Sequence, residues 1–274
     1  MTCPKGWTFL RAHSVNGLIC ALAPRHLQIW NPTTRRFTSS LKNLWTDSVS
    51  FLGYDPIGGT YKVLSLPAYP SHADNQPRAQ TLGGAQESWR VVQGLTDHAP
   101  FRRSGQQCIN GVLYYLASPD LSVCNQFLVR FHVRSEKLTR IDVPWTRCCL
   151  LMASEGKLVS VLSLGDDITM WTLEEDAEKA EWSCIRRKLP FPSYDPVSET
   201  WLELMGINDA GEFIYVQSAV EKEIPFHILY FMQRGTASEE SWLKELLMTN
   251  LGAGMDSETN LWISHRESLV FLLI

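Results

Sequence analysis

At 274 residues and 45% hydrophobic content, the chain has apolar surface enough for one large domain or two ordinary ones, which excludes disorder as the default. Its formal charge of −4, with both signs interspersed, excludes the basic field that attracts a phosphate backbone. The longest apolar run near its end, LVFLLI, is far short of the roughly 20 residues that a membrane helix needs, so neither nucleic acid nor membrane is an expected partner.

The elements read in chain order as short strands. GWTFL (6–10) is a first apolar stretch, and SVNGLIC (14–20) follows with an Asn-Gly turn leading into an apolar burst. LQIWNPTTRRF (27–37) carries a second strand into a polar turn, and FLGYDPIGGTYKVL (51–64) is a hairpin in which Asp-Pro opens the turn. Such runs of Val, Ile, Tyr, Phe and Trp between Gly, Asn, Asp and Pro are strand and turn signals. The stretch PAYPSHADNQPRAQTLGGAQ (67–86) is broken by three prolines and reads as a long loop. CINGVLYY (108–115) then repeats the opening pattern, FLVRFHVRSEKLTRI (127–141) repeats the second, and EGKLVSVLSL from Glu155 repeats the first again.

In DITMWTLEEDAEKAEW (167–182) the acidic centre reads as a long charged hairpin turn, with a helix as the alternative. AGEFIYVQ from Ala210 and FHILYFMQRG (226–235) give a further pair of strands. In EESWLKELLM (239–248) Trp242, Leu243, Leu246 and Leu247 fall on one helical face, which points to one short C-terminal helix. SLVFLLI (268–274) ends the chain and is expected to close the fold against GWTFL.

The second glycine of each turn falls at 17, 59, 111, 156 and 211, at intervals of 42, 52, 45 and 55 residues. A loose repeat of this length, built from three or four strands, is the pattern of a propeller blade. The expected fold is therefore all-β and propeller-like, with five to six irregular antiparallel blades; two packed sheets in a sandwich are the alternative.

Chemistry-bearing motifs are sparse. The seven histidines never stand at ligand spacing, and no D-x-D-x-D run accompanies Asn31, Asp55 or Asp195, so neither a metal nor a cofactor is expected. There is no G-x-S-x-G elbow, and LGGAQ lacks the Lys-Ser/Thr of a phosphate-binding loop. Propeller glycosidases use carboxylate pairs, and Asp166, Asp167, Glu174, Glu175, Asp176 and Glu178 are the candidates for such a role; a solvated charged turn is the plainer account. No catalytic residue is assigned. The seven cysteines show no C-x-x-C spacing, and MTCPKGWTFLRAHS has no apolar core of a signal peptide, so the thiols read as reduced and intracellular, in cytoplasm or nucleus.

Ten tryptophans divide by position. Trp30, Trp89 and Trp171 stand within strand patterns and suit the space between blades. Trp45, Trp145 and Trp201 stand near turns and are candidates for a recognition surface, as are Tyr69, His72 and Arg78 of the long loop.

The wording of seven segments in order (VNGLICA with LQIWNPTTRRF, FLGYDPIGGTYKVL, TLGGAQESWR, CINGVLYYLA, FHVRSEKLTRIDVP, SEGKLV and MWTLEEDAEKAEWS) resembles the type 3 F-box associated domain of plant F-box proteins over about residues 11–235. That resemblance implies one domain over 1–274 with a divergent tail at 236–274. It also implies a protein-interaction module: the substrate-recognition part of a Skp-cullin-F-box ubiquitin ligase, acting by binding alone and not as an enzyme. The chain starts at Met1 directly before this domain, so the Skp adaptor is an expected partner only if an F-box is supplied upstream; the target protein is unspecified. The rival readings are a propeller hydrolase or glycan-binding protein, and a non-functional truncated paralogue.

Overall fold

The computed structural model describes residues 11–22, 26–42, 44–45, 48–69, 76–83, 88–101, 104–120, 122–147, 149–176, 179–189, 193–195, 200–207, 212–217, 227–232, 243–247, 261–263 and 270–272. Blade 1 is an antiparallel meander of β1 (Arg11–Val15), β2 (Leu18–Leu22), β3 (His26–Asn31) and β4 (Arg36–Lys42). Blade 2 repeats it with β5 (Ser48–Asp55), β6 (Thr60–Pro67), β7 (Arg78–Thr81) and β8 (Arg90–Val91). The next strand, β9 (Gln93–Gly94), crosses to the outer edge of blade 3. In that blade β10 (Ala99–Pro100) and β11 (Gln106–Ile109) together form the first strand, followed by β12 (Val112–Ser118), β13 (Phe127–His132) and β14 (Lys137–Asp142).

Blade 4 consists of β15 (Leu150–Ser154), β16 (Lys157–Leu164), β17 (Asp167–Asp176) and β18 (Lys179–Lys188). Blade 5 holds β19 (Tyr194–Asp195), β20 (Thr200–Ile207), β21 (Glu212–Gln217), β22 (His227–Met232) and β23 (Leu243–Leu247). A final hairpin pairs β24 (Leu261–Ile263) with β25 (Val270–Leu272).

One strand of each successive sheet touches one of the next in a closed circuit: β1 meets β5, β5 meets β11, β11 meets β15, β15 meets β20, β20 meets β24, and β24 returns to β1. Five sheets and one hairpin thus stand around a ring, an all-β propeller arrangement and not a sandwich of two sheets. The circuit closes through β24, with β25 as its partner. Of the two stretches expected to close it, GWTFL lies outside the described residues, and SLVFLLI supplies β25.

The apolar bursts that puzzle as sequence follow from this ring. Successive side chains of a strand point to opposite faces, and both faces of a blade are covered by neighbours, so alternation gives way to a continuous apolar run. In GVLYYLA, Leu113 and Tyr115 pack with Phe51, Leu64 and Leu66 of blade 2. Tyr114 and Leu116 pack with Leu151, Leu158 and Trp171 of blade 4. In blade 2, Leu52 and Val63 turn the other way, to Val15, Cys20 and Ile29 of blade 1. Met152, Val159 and Val161 of blade 4 meet Phe213 and Tyr215 of blade 5. Each of these interblade layers buries several large side chains, at about 2 kcal/mol each, and every such layer joins two blades.

Two sequence expectations are corrected or resolved here. The segment expected as a C-terminal helix contains β23, whose Leu243, Lys244, Glu245, Leu246 and Leu247 pair in antiparallel register with Phe231 back to His227. A run this short satisfies either period, and the open edge of β22 supplies hydrogen bonds that decide for a strand. The acidic stretch after Trp171 is the long β17–β18 hairpin, with Asp176 opposite Lys179.

The Asn-Gly turns have the backbone that their residues favour. Asn16 and Gly17 sit at φ 44° and 82°, and Asn110 and Gly111 at φ 48° and 82°, the pair of left-handed positions of a tight hairpin turn. Asn31 Oδ1 accepts from Thr33 N and Thr34 N, at 2.9 and 3.1 Å. Asp55 Oδ1 accepts from Ile57 N at 3.0 Å, so both Pro-containing turns are closed by their own side chains.

Candidate interaction surface

A four-stranded meander sends its turns to two opposite ends. Those joining first to second and third to fourth strands gather at one face of the ring, here the hairpin face; those joining second to third strands, and blade to blade, gather at the other, the loop face. The turns at 16–17, 32–35, 56–59, 110–111, 133–136 and 155–156 belong to the hairpin face. The connections at 43–47, 68–77, 119–126, 143–149, 165–166 and 189–193 belong to the loop face.

The hairpin face is tied blade to blade. Tyr61 Oη of blade 2 donates to Asn16 O of blade 1 at 2.7 Å. Arg134 Nε of blade 3 donates to Asp55 Oδ2 of blade 2 at 3.0 Å, and this bond holds the Asp55 carboxyl below its ordinary range. Glu136, at the β13–β14 turn, accepts from Lys62 Nζ at 2.8 Å and from Arg90 Nη2 at 2.5 Å. Burial raises the Glu136 carboxyl, but the bonds from Arg90 and Lys62 outweigh it and leave a net depression.

The candidates for partner contact fall on the loop face. Trp45 lies half-buried between β4 and β5, and Tyr69, just past the end of β6, is 58% exposed. Arg78 begins β7 where the long loop returns; it is half-buried, and its Nε is buried with no acceptor among the described residues. Trp201 opens β20, is 56% exposed, and stands 4.9 Å from the ring of Tyr194 at 48°. Topology thus brings Trp45, Tyr69, Arg78 and Trp201 to one end of the ring. His72 lies outside the described residues.

Trp145 is corrected. It sits on the loop face in sequence but is only 5% exposed, its ring 5.0 Å from Trp171 and 4.7 Å from Trp182, and it belongs to the layer between blades 3 and 4. A turn beside a strand does not by itself put an aromatic in solvent; here the gap between two sheets takes it first. Trp30 and Trp171 are buried and Trp89 is half-buried against the layer between blades 1 and 2, the places their strand positions suggested.

Sequence reasoning missed Tyr194, the neighbour that makes Trp201 a two-ring surface. The signal was present as two aromatics seven residues apart across a proline-containing turn, YDPVSETW. Close by, Asp166 Oδ1 accepts from Ser193 N at 2.7 Å, a bond that depresses its carboxyl and anchors the residue next to Tyr194 to the β16–β17 turn. Leu164, 56% exposed, ends β16 at that turn.

Two of the acidic candidates, Asp166 and Glu174, lie at opposite ends of the ring. Glu174 accepts from Lys157 Nζ at 2.6 Å near the hairpin face, whereas Asp166 stands at the loop face. Along an extended strand these positions are about 25 Å apart, against the roughly 5–10 Å that separates a glycosidase pair. Among the described residues, no three of His, Cys, Asp and Glu converge as metal ligands, and no helix is long and apolar enough to cross a membrane. Among the described residues, Cys20, Cys108, Cys124, Cys149 and Cys184 form no disulfide.

A family model described as the F-box associated beta propeller domain matches residues 1–258. The chain belongs to the F-box associated beta propeller family. The match reaches further at both ends than the 11–235 over which the wording of segments is recognisable. The putative F-box protein At1g47730 of Arabidopsis thaliana is 36% identical over 234 residues, covering 80% of this chain and 56% of that protein. The F-box protein At1g30790 of the same plant is 31% identical over 298 residues, covering 96% of this chain and 72% of that protein. The propeller chain therefore spans little more than half of some of its curated relatives. Solved structures are more distant. A chain from a study of two prolyl endopeptidases is 12% identical with a TM-score of 0.48, over 90% of this chain and 44% of that one. The N-terminal domain of Nup159 is also 12% identical, with a TM-score of 0.46, over 87% of this chain and 61% of that one.

Proposed function

We propose that this propeller is the substrate-recognition module of a Skp-cullin-F-box ubiquitin ligase: its loop face binds a target protein, and catalysis is carried out elsewhere in the ligase. The observation that carries the reading is the gathering of Tyr69, Trp201, Tyr194 and Trp45 at one end of a rigid ring, in a family whose named relatives are F-box proteins. Exposed aromatics on loops over a packed scaffold are the usual anchors of a protein interface. Adaptor docking would come from an F-box joined to the propeller, and the compartment would be an intracellular one where such ligases work.

The experiment is co-purification from plant cells, with mass spectrometry, of the chain fused behind an F-box. The expected result is recovery of Skp and cullin together with a further protein that is lost when residues 68–77 are replaced by a Gly-Ser linker. Recovery of the same proteins by both versions overturns the assignment of the loop face.

A further inference from the structure

The side of blade 2 that faces blade 1 changes character along its length. Toward the hairpin face it is apolar and aromatic, with Leu52, Tyr54, Tyr61 and Val63 in the layer between the two blades. One step toward the loop face the same side carries Ser50, Ser65 and Arg78, which stand opposite one another across β5, β6 and β7; cross-strand partners share a face. Ser48, two residues along β5, points the same way. The three serines are buried. Ser50 Oγ donates to Ser65 Oγ at 3.2 Å, whereas Ser48 Oγ is buried without a partner.

Arg78 is the cation of this polar row. It is half-buried, and its Nε is buried with no acceptor. A guanidinium does not shed its proton, so the cost of burying an unpaired donor cannot be avoided by neutralisation. The other cations of blade 2 show the contrast: Lys62 and Arg90 both reach Glu136. Within residues 11–91 the described carboxylate is Asp55, which sits at the hairpin face and is engaged by Arg134. Asp47, Asp74 and Glu87 lie outside the described residues.

We infer that Arg78 is the seat of a carboxylate, presented by an aspartate or glutamate of the target protein at the mouth between blades 1 and 2. The planar fork of an arginine matches a carboxylate through two parallel hydrogen bonds, one of them from Nε, the donor left without an acceptor here. Ser48 Oγ adds a hydroxyl donor on the same side of the sheet. Tyr69 and Trp45 stand at the same end of the ring, so the loop face would combine aromatic anchors with one charge-selective position. That the carboxylate comes from a target rests on the function proposed above; the anion site itself does not.

The test follows the Arg78 Nε–H in proton–nitrogen correlation spectra of the 274-residue chain while sodium acetate replaces sodium chloride at constant ionic strength. The resonance is assigned by its loss in Arg78→Met, which keeps the apolar stem of the side chain and is expected to melt no lower than the parent. The expected result is a saturable shift of that resonance, larger than for any other arginine and reached at lower concentration with acetate than with inorganic phosphate. In the F-box fusion, Arg78→Met is expected to lose the co-purified target by at least about ten-fold. Absence of an acetate-specific shift, or a clearly lower melting temperature of Arg78→Met, overturns the anion site whatever the target does. So does an equal shift produced by Asp47→Asn or Asp74→Asn without added anion, which would mean that the chain itself already fills the site. A preference for phosphate overturns the choice of carboxylate. Retention of the target by Arg78→Met, where Tyr69→Ala with Trp201→Ala loses it, overturns the use of the site by the target and leaves the loop-face reading standing; retention by both variants overturns both.

Discussion

The two ends of the ring are made of different material. At the hairpin face the described turns are short and carry left-handed residues at fixed places, and their charges are paired across blades, as in Asp55 with Arg134 and Glu136 with Lys62 and Arg90. At the loop face the connections run from the two residues 165–166 to the ten residues 68–77, and they leave Tyr69, Tyr194, Leu164 and Trp201 in solvent. One end spends its sequence on joining blades, while the other is free to change length and composition without disturbing the layers beneath. That freedom is what a recognition surface requires.

The contrast can be attacked first through the one aromatic that crosses it. Trp145→Ala removes a ring packed between Trp171 and Trp182, and a loss of about 4 kcal/mol is expected, read as a lower midpoint of urea unfolding. An effect below about 1 kcal/mol would return Trp145 to the recognition surface. Next in size is Glu136→Gln, which strips the carboxylate from two cations at the hairpin face. About 2 kcal/mol is expected, and the effect should shrink with added salt only weakly because Lys62 and Glu136 are largely buried.

Acid should separate the two ends by pH. His98, just before β10 at the loop-face end of blade 3, is fully buried and bonded to Tyr115 Oη at 2.7 Å. Burial lowers its pKa to about 4. The unfolded chain takes up that proton near the ordinary histidine value of 6.5 and the folded chain only near 4, so the contribution to stability is complete above 6.5 and declines as the pH falls toward 4. His13, lowered by burial to about 3, acts in the same direction. Asp55 and Glu136, being depressed carboxylates, lose their contribution only below the ordinary carboxylate range. Urea midpoints should therefore fall between pH 6.5 and 5, with a smaller slope in His98→Phe and an unchanged slope in Glu136→Gln. The opposite assignment of slopes would mean that the hairpin-face ion pairs, and not the buried histidines, govern mild acid sensitivity.

Much of this architecture was legible in the chain. The Asn-Gly turns, the Asn31 and Asp55 turns and the apolar bursts each mark an element, and blade-on-blade burial explains why those bursts do not alternate. The looseness of the repeat also has a location. The long interval from Gly59 to Gly111 contains the connection 68–77 and the stretch 95–105 that includes β10, and the longest, from Gly156 to Gly211, contains the β17–β18 hairpin and the segment from Leu189 to Thr200. Other features needed the fold. Local spacing leaves Leu243–Leu247 open to helix or strand, and only the edge of β22 decides it. Trp145 and Trp201 both stand beside turns, and which of them is exposed depends on whether a neighbouring blade fills the space next to it. The joint position of Trp45, Tyr69, Arg78 and Trp201 follows from the up-and-down order of strands, which no single motif carries.

The central claim is that the loop face, and not the hairpin face, holds the target. Its most direct test is quantitative co-purification by the F-box fusion of two variants with equal melting temperatures. One carries Tyr69→Ala and Trp201→Ala on the loop face; the other carries Lys157→Ala and Glu174→Ala, an exposed ion pair toward the hairpin face. The account predicts that the loop-face variant loses the specifically bound target by at least about ten-fold while the hairpin-face variant retains it. Retention by the first variant together with loss by the second would contradict it.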